Sequence, residues 1–189
     1  MANVYFTSDT HFGHDRDFIY KPRGFQSIQE HDETIIERWN SIVTSQDIVY
    51  HLGDAMLGAD HQYGLDCLAQ LNGTIHMIRG NHDTVKRWWE YEDAWPHLVI
   101  HGWSDILKEQ GYKFYLCHYK TETSCIENMA PSKHHLINLH GHTHDSRKFE
   151  NDNPFQYNVA LDAHNCYPVH IDQVIWDIEA KADECLSFL

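Results

Sequence analysis

Short apolar runs, each closing on a glycine or a polar residue, recur along the chain and alternate in its first part with amphipathic stretches. Val4-Tyr5-Phe6-Thr7 reads as a short strand, Asp47 to Leu52 as a buried strand broken at Gly53, and Thr74 to Ile78 as a third, broken at Gly80. Between them, Ser27-Ile28-Gln29-Glu30 has the Ser-x-x-Glu capping pattern. Ile28, Ile35, Trp39 and Ile42 follow on one helical face, so a helix starts here. Tyr63 to Gln70 predicts a second helix. Further strands are expected at Lys113 to Cys117, Leu136 to Leu139 and Tyr157 to Ala160, whereas Ile171 to Phe188 mixes strand-like and helical pattern.

Strand ends run directly into polar residues: Thr7-Ser8-Asp9, Leu52-Gly53-Asp54, Arg79-Gly80-Asn81, Cys117-His118 and Gly141-His142. In open α/β sheets, sites form just beyond the carboxyl ends of strands, and glycine there lets backbone turn sharply and approach a bound group. Strand–helix alternation followed by strand-rich sequence suggests two packed sheets flanked by helices, an α/β or α+β class with mixed sheets. No repeat, low-complexity tract or linker-like run interrupts the chain, which favours one domain over residues 1–189.

Composition narrows the setting. A chain of 189 residues with 42% hydrophobic and 13% aromatic content can bury one substantial core and is not of the disordered class. No apolar run approaches the about 18 residues of a membrane span, and the N-terminus lacks the basic and apolar regions of a signal peptide. Five scattered cysteines (Cys67, Cys117, Cys125, Cys166, Cys185), never spaced as a Cys-x-x-Cys pair, argue against a disulfide framework and for a reducing cytoplasm. A net charge of -14 repels long polyanions such as duplex DNA. No membrane partner is expected, and the pattern does not address oligomeric state.

Five fragments carry the candidate chemistry: Asp9-Thr10-His11, Gly53-Asp54, Gly80-Asn81-His82-Asp83, Cys117-His118 and Gly141-His142-Thr143-His144. Oxygen donors (Asp9, Asp54, Asn81) are mixed with imidazoles (His11, His118, His142, His144). That mixture suits a pair of borderline divalent ions better than Ca²⁺ or a thiolate zinc site. Mn²⁺ is the preferred assignment, with Fe, Zn or Ni as alternatives. Two such ions add positive charge locally, so a small phosphorylated substrate can still be drawn to an acidic protein. Two adjacent metals that activate water and clamp phosphoryl oxygens suffice for phosphoester hydrolysis.

These blocks, in this order from Asp9 to His144, resemble the calcineurin-like metallophosphoesterase superfamily, and the segments Phe12-Gly13-His14 and Asn158 to Val169 are similar to its small bacterial and phage-type members. The resemblance implies a four-layer α/β/β/α sandwich of two mixed β-sheets flanked by helices. It also implies that Asp9, His11 and His144 hold a first metal, that Asn81, His118 and His142 hold a second, and that Asp54 bridges the two. A carboxylate suits the bridge because its two oxygens can be shared between cations. Hydroxide bridging the metals would be the nucleophile. By the same resemblance His82 is no ligand but a general acid at the leaving group, with Asp83 either orienting its imidazole or pairing with another side chain.

His14 and Arg79 are candidates for contact with substrate phosphate, Arg79 equally for a salt bridge, and His164, after the strand near Tyr157, for a place on the rim. His51 is expected to support or pack, and His31, His61, His97, His134 and His135, which lack a motif, to be solvated or structural. Cys117 alternates with His118 and is expected in the core. Trp88, Trp89, Tyr91 and Trp95 form the densest aromatic patch, a stacking wall beside the site, a helix and loop burying rings on the sheets, or a partner interface. The expected activity is that of a phosphodiesterase on a small or nucleotide-like substrate. A phosphomonoesterase or single-strand nuclease of the same superfamily is the alternative, and a non-catalytic scaffold of the same fold is disfavoured because no ligand is missing.

Overall fold

The structure, a computed structural model, describes residues 2–94, 97–124 and 135–187. Along the chain come β1 (Val4–Thr7), α1 (Asp17–Tyr20), α2 (Ile28–Ile42), β2 (Ile48–His51), α3 (His61–Leu68), β3 (Thr74–Ile78) and α4 (Val85–Ala94). There follow β4 (Leu98–Gly102), β5 (Ser104–Glu109), β6 (Tyr112–Cys117), β7 (Leu136–His140), β8 (Gln156–Asn158), a 3-10 turn (Leu161–Ala163), β9 (Val169–His170) and α5 (Ile171–Leu186). One sheet has the order β4-β3-β2-β1-β9, the other β5-β6-β7-β8. Both are mixed: β1 to β4 are parallel with β9 antiparallel, and β6 to β8 are parallel with β5 antiparallel. Two mixed sheets flanked by helices is the α/β architecture the sequence implied.

Alternation along the strands builds two cores. Tyr5, Val49, Ile75 and Met77 face the helices and pack with Ile28, Ile35 and Trp39 of α2 and with Leu68 of α3. Their neighbours Phe6, Tyr50 and Ile78 point the other way, into a core with Phe114, Leu116, Ile137, Leu139 and Tyr157 of the second sheet. Each fully buried Phe or Leu there stabilises the fold by about 1.5–3 kcal/mol relative to exposure. The capping pattern at α2 holds, since Ser27 Oγ accepts the Glu30 N–H and the Glu30 carboxylate accepts the Gln26 N–H.

Several elements depart from expectation. The second helix starts earlier, at His61, because the Asp60 side chain accepts the Tyr63 N–H as its N-cap. The mixed stretch from Ile171 is helical through Leu186, its His170 N-cap accepting the Asp172 N–H; Phe188 lies outside the described residues. The strand expected at Tyr157 to Ala160 is Gln156–Asn158, with Ala160 bridging separately to Ser8. Helix α1 and strands β4, β5 and β9 were not anticipated. Cys67, Cys117 and Cys166 are buried free thiols; Cys125 lies outside the described residues. No helix among the described residues is long and apolar enough to cross a membrane.

Candidate metal centre

Parallel pairing turns the strand-end motifs into one place. β1, β2 and β3 run side by side, so Asp9, Asp54 and Asn81 leave the same edge of one sheet, while β6 and β7 deliver His118 and His142 from the other. The loops are zipped together: the backbone N–H groups of Asp9 and His11 donate to the carbonyls of Gly53 and Asp54 at 3.0 and 3.1 Å. Two glycines permit the approach. A Cβ at Gly80 would lie 2.2 Å from Asp54 Oδ1, and one at Gly141 2.2 Å from Asp9 Oδ2, both far inside contact distance. Five candidate ligands themselves have left-handed backbone: Asp9 (φ 60°), His11 (49°), Asp54 (56°), His142 (70°) and His144 (52°). Strain of this kind costs on the order of 1–3 kcal/mol per residue and concentrates at functional sites.

Two triads result, Asp9–His11–His144 and Asp54–His118–His142, each with ligand atoms within 4.8 Å of one another. Asp54 Oδ2 lies 3.8 Å from His11 Nε2 of the first triad and 3.4 Å from His118 Nε2 of the second. The other oxygen, Oδ1, accepts the His82 backbone N–H at 2.8 Å. Oδ2 thus faces both triads, while Oδ1 ties down the next loop.

The donor set fits cations. Asp9 Oδ1 and His11 Nε2 are buried with no hydrogen-bond partner among the described residues, a cost of about 1–3 kcal/mol per group that a bound cation would remove. His118 Nδ1–H donates to the Leu52 carbonyl at 2.8 Å, so in a neutral ring Nε2 carries a lone pair. That lone pair faces Asn81 Oδ1, also an acceptor, at 2.9 Å; two acceptors so close need a proton or a metal between them. Electrostatics say the same. Burial alone would raise the Asp9 carboxyl, but the imidazoles of His11, His118 and His144 outweigh it and hold it well below the usual carboxylate range. Burial alone would lower His118, yet its contact with Asp54 and the charge of Asp9 push it up to about 9. Proton and metal compete for these atoms. Asn81 adds an oxygen to the second triad without a further charge.

Supports that the sequence reading did not identify surround the first triad. His144 Nδ1–H donates to Asp162 Oδ2 at 3.2 Å, which turns Nε2 toward Asp9. Asp162 pairs with the buried Arg23 guanidinium, which also donates to the Asp9 carbonyl and to His31 Nε2. His31 in turn donates to Asp32, whose other oxygen accepts the Gly13 N–H. Asp162 follows β8 and obeys the same strand-end rule as the ligands, a signal that was available; Arg23 sits in a loop and carries none. His51, as expected, is a support: it accepts the Gly53 N–H and donates to Thr10 Oγ1. Asp162→Asn should lower metal affinity at the first triad by about 10–100-fold. It should also lower the melting temperature, because buried Arg23 loses its countercharge. Metal content after desalting and a melting curve read both effects; wild-type values in each would remove Asp162 from this role.

Other expected site residues need correction. Asp83 does not orient His82. Its carboxylate accepts the backbone N–H groups of Asp54, Ala55 and Gly80 and the Tyr91 hydroxyl, and among the described residues no hydrogen bond joins it to the His82 ring. It is a clamp between the two ligand loops. Arg79 donates to the Asp83 carbonyl and lies 4.4 Å over the Trp103 ring, and His164 Nε2 bonds the Asn158 carbonyl, so both serve the fold. His14 stays at the site, its ring beside those of His11 and His82; burial and these neighbours push it down to about 4. The tryptophan patch is split: Tyr91 is fully buried, Trp88 packs on the helix-side core, Trp89 is exposed, and Trp95 lies outside the described residues. The exposed aromatics that touch the site are Phe18 against His14 and Tyr119 against His118 and His142. Of the histidines without a motif, His61 faces Glu90, His135 packs on Phe155, and His134 lies outside the described residues.

Comparison with known proteins agrees with this geometry. The family model for the calcineurin-like phosphoesterase superfamily domain matches residues 3–159. An uncharacterised protein of Methanocaldococcus jannaschii is 31% identical, covering 95% of this chain and 93% of its own length. The gene 66 protein of Mycobacterium phage D29 is 32% identical, covering 95% and 98%. Among solved structures, a protein of unknown function from Aquifex aeolicus superposes with a TM-score of 0.71 at 22% identity, covering 93% of this chain and 99% of that one.

Proposed function

Because the chain belongs to the calcineurin-like phosphoesterase superfamily, and is thus a metal-dependent phosphoric ester hydrolase, we propose that it is a phosphodiesterase for a small or nucleotide-like ester. The observation that carries the reading is the pair of triads meeting at Asp54 Oδ2. Asp9, His11 and His144 would hold one divalent ion, and Asn81, His118 and His142 the other, with Asp54 between. The carboxylate and amide oxygens suit Mn²⁺, our preferred assignment, and the imidazoles suit Fe, Zn or Ni as alternatives. When bound, such ions supply Lewis acidity, which yields a water-derived nucleophile at neutral pH and neutralises phosphoryl oxygens.

The chain's own groups do the rest. Asp9 and Asp54 set the charge that draws the cations. His118 and His144 are held by Leu52 and Asp162 in the tautomer that leaves Nε2 free. His82 has both main-chain polar groups fixed, to Asp54 Oδ1 and to Arg87, and its ring at the mouth, where it gives a proton to the leaving oxygen. The net charge of -14 favours small substrates over long nucleic acid, and the buried free thiols suit a reducing cytoplasm.

Purified protein should carry close to two transition ions per chain, lose activity to EDTA and regain it with Mn²⁺. On a panel of aryl monoesters, aryl diesters, 2′,3′-cyclic nucleotides and oligonucleotides, diesters and cyclic nucleotides should lead. EDTA-insensitive hydrolysis by metal-free protein would overturn the mechanism, and a monoester preference would overturn the substrate class.

A further inference from the structure

A cavity of about 470 Å³ opens against the outer side of His144, walled by Arg23, Arg38, Asp162, Asn165 and Cys166. Its volume is in the range of small-molecule sites, about 300–1,000 Å³. The two arginines differ. Arg23 is spent, its charge met by Asp162 at 2.7 Å. Arg38 has no carboxylate within ion-pair distance among the described residues, in a chain of net charge -14. Its guanidinium is nevertheless fixed in place. It lies 5.8 Å over the Phe25 ring and 5.3 Å over the Tyr167 ring, and donates one N–H to the Asn165 carbonyl at 2.7 Å.

That carbonyl belongs to a strained turn. Asn165 and Cys166 are consecutive left-handed residues, φ 50° and 57°, held by the Cys166 N–H donating to Leu161. A guanidinium has five N–H donors. One N–H goes to Asn165 and another contacts the Cys166 thiol, a weak acceptor, so Arg38 still presents donors and, among the described residues, a charge met by no carboxylate to the cavity, the chemistry that binds phosphate or carboxylate.

We propose that this cavity is a second-anion subsite: the protein binds esters that carry another phosphate or carboxylate beside the one cleaved, and Arg38 recognises it. The inference rests on the phosphoesterase reading of the adjoining triads, since His144 is the wall the two sites share. Calorimetry on Mn²⁺-supplemented protein, with thymidine 3′,5′-bisphosphate and thymidine 5′-monophosphate as probes, tests it without turnover. Wild type should bind the bisphosphate at least about tenfold more tightly, from the added charge-assisted pair. In Arg38→Met that ratio should fall to near one, and Arg38→Lys, which keeps the charge without the fork, should retain part of it. Should the methionine variant not fold, the lysine variant still reads the fork. A wild-type ratio near one, or a variant that weakens both ligands equally, overturns the subsite. The diester panel is read separately. Hydrolysis without discrimination defeats the subsite alone, and discrimination without hydrolysis defeats the phosphodiesterase reading alone.

Discussion

Asp54→Asn is expected to leave the chain folded and lower kcat/KM on phosphate diesters by about a thousandfold or more. The substitution is narrow. Asn keeps an oxygen to accept the His82 N–H, as Asp54 Oδ1 does at 2.8 Å, and keeps the main-chain contacts of Asp54 with His11 and Asp83. What it removes is the negative charge at Oδ2, the atom within 3.8 Å of His11 Nε2 and 3.4 Å of His118 Nε2. Weakening one Lewis acid at a phosphoryl centre forfeits several kcal/mol of transition-state stabilisation, and each factor of ten corresponds to about 1.36 kcal/mol. Elemental analysis should show fewer than two ions per chain, with circular dichroism unchanged. Full metal content together with a wild-type rate would show that Asp54 does not join the two triads.

Most of the candidate ligand set was legible because five of its members sit where local sequence and topology coincide. Asp9, Asp54, Asn81, His118 and His142 each follow an apolar strand, and parallel pairing gathers strand ends without further instruction. Roles set by partners distant in sequence were not legible. The Asp83 carboxylate is claimed by Asp54 and Ala55, from the loop after β2, and by Tyr91 of α4; next to His82 in sequence, it looked like that residue's partner. Arg23 reaches Asp162, 139 positions away, and nothing in Pro22-Arg23-Gly24 announces it. Strands β4 and β5 were missed for another reason. Both are half-exposed; β4 has an intrinsic strand preference in Leu98-Val99-Ile100 but only for three residues, whereas β5 carries Ser104, Asp105 and Lys108 and is made a strand by its pairing with β6. The opening of α5 misled in the opposite sense, because Ile171, Val174 and Ile175 read as strand until the helix buries Ile171 and Val174 in the inter-sheet core.

His82→Asn should slow hydrolysis of an alkyl or nucleoside diester by about 10²–10⁴-fold, the range of general acid catalysis, and a 4-nitrophenyl diester far less. The reason lies in what holds His82 and what does not. Its N–H and carbonyl are fixed by Asp54 and by Arg87 at 2.8 and 2.6 Å, so the ring's origin is rigid. The ring itself is 41% exposed, with Nε2 3.9 Å from Asp54 Oδ2, beside the triads and open to solvent. Among the described residues no hydrogen bond to Asp83 restrains it, so the ring can turn to whatever occupies the mouth. An alkoxide leaving group needs a proton as the P–O bond breaks; nitrophenolate departs without one. The ratio of the two rates therefore isolates proton donation from positioning. Metal content should remain near two per chain, which separates this variant from Asp54→Asn. Equal slowing of both esters would assign His82 to binding or architecture and leave the leaving oxygen to be protonated by solvent.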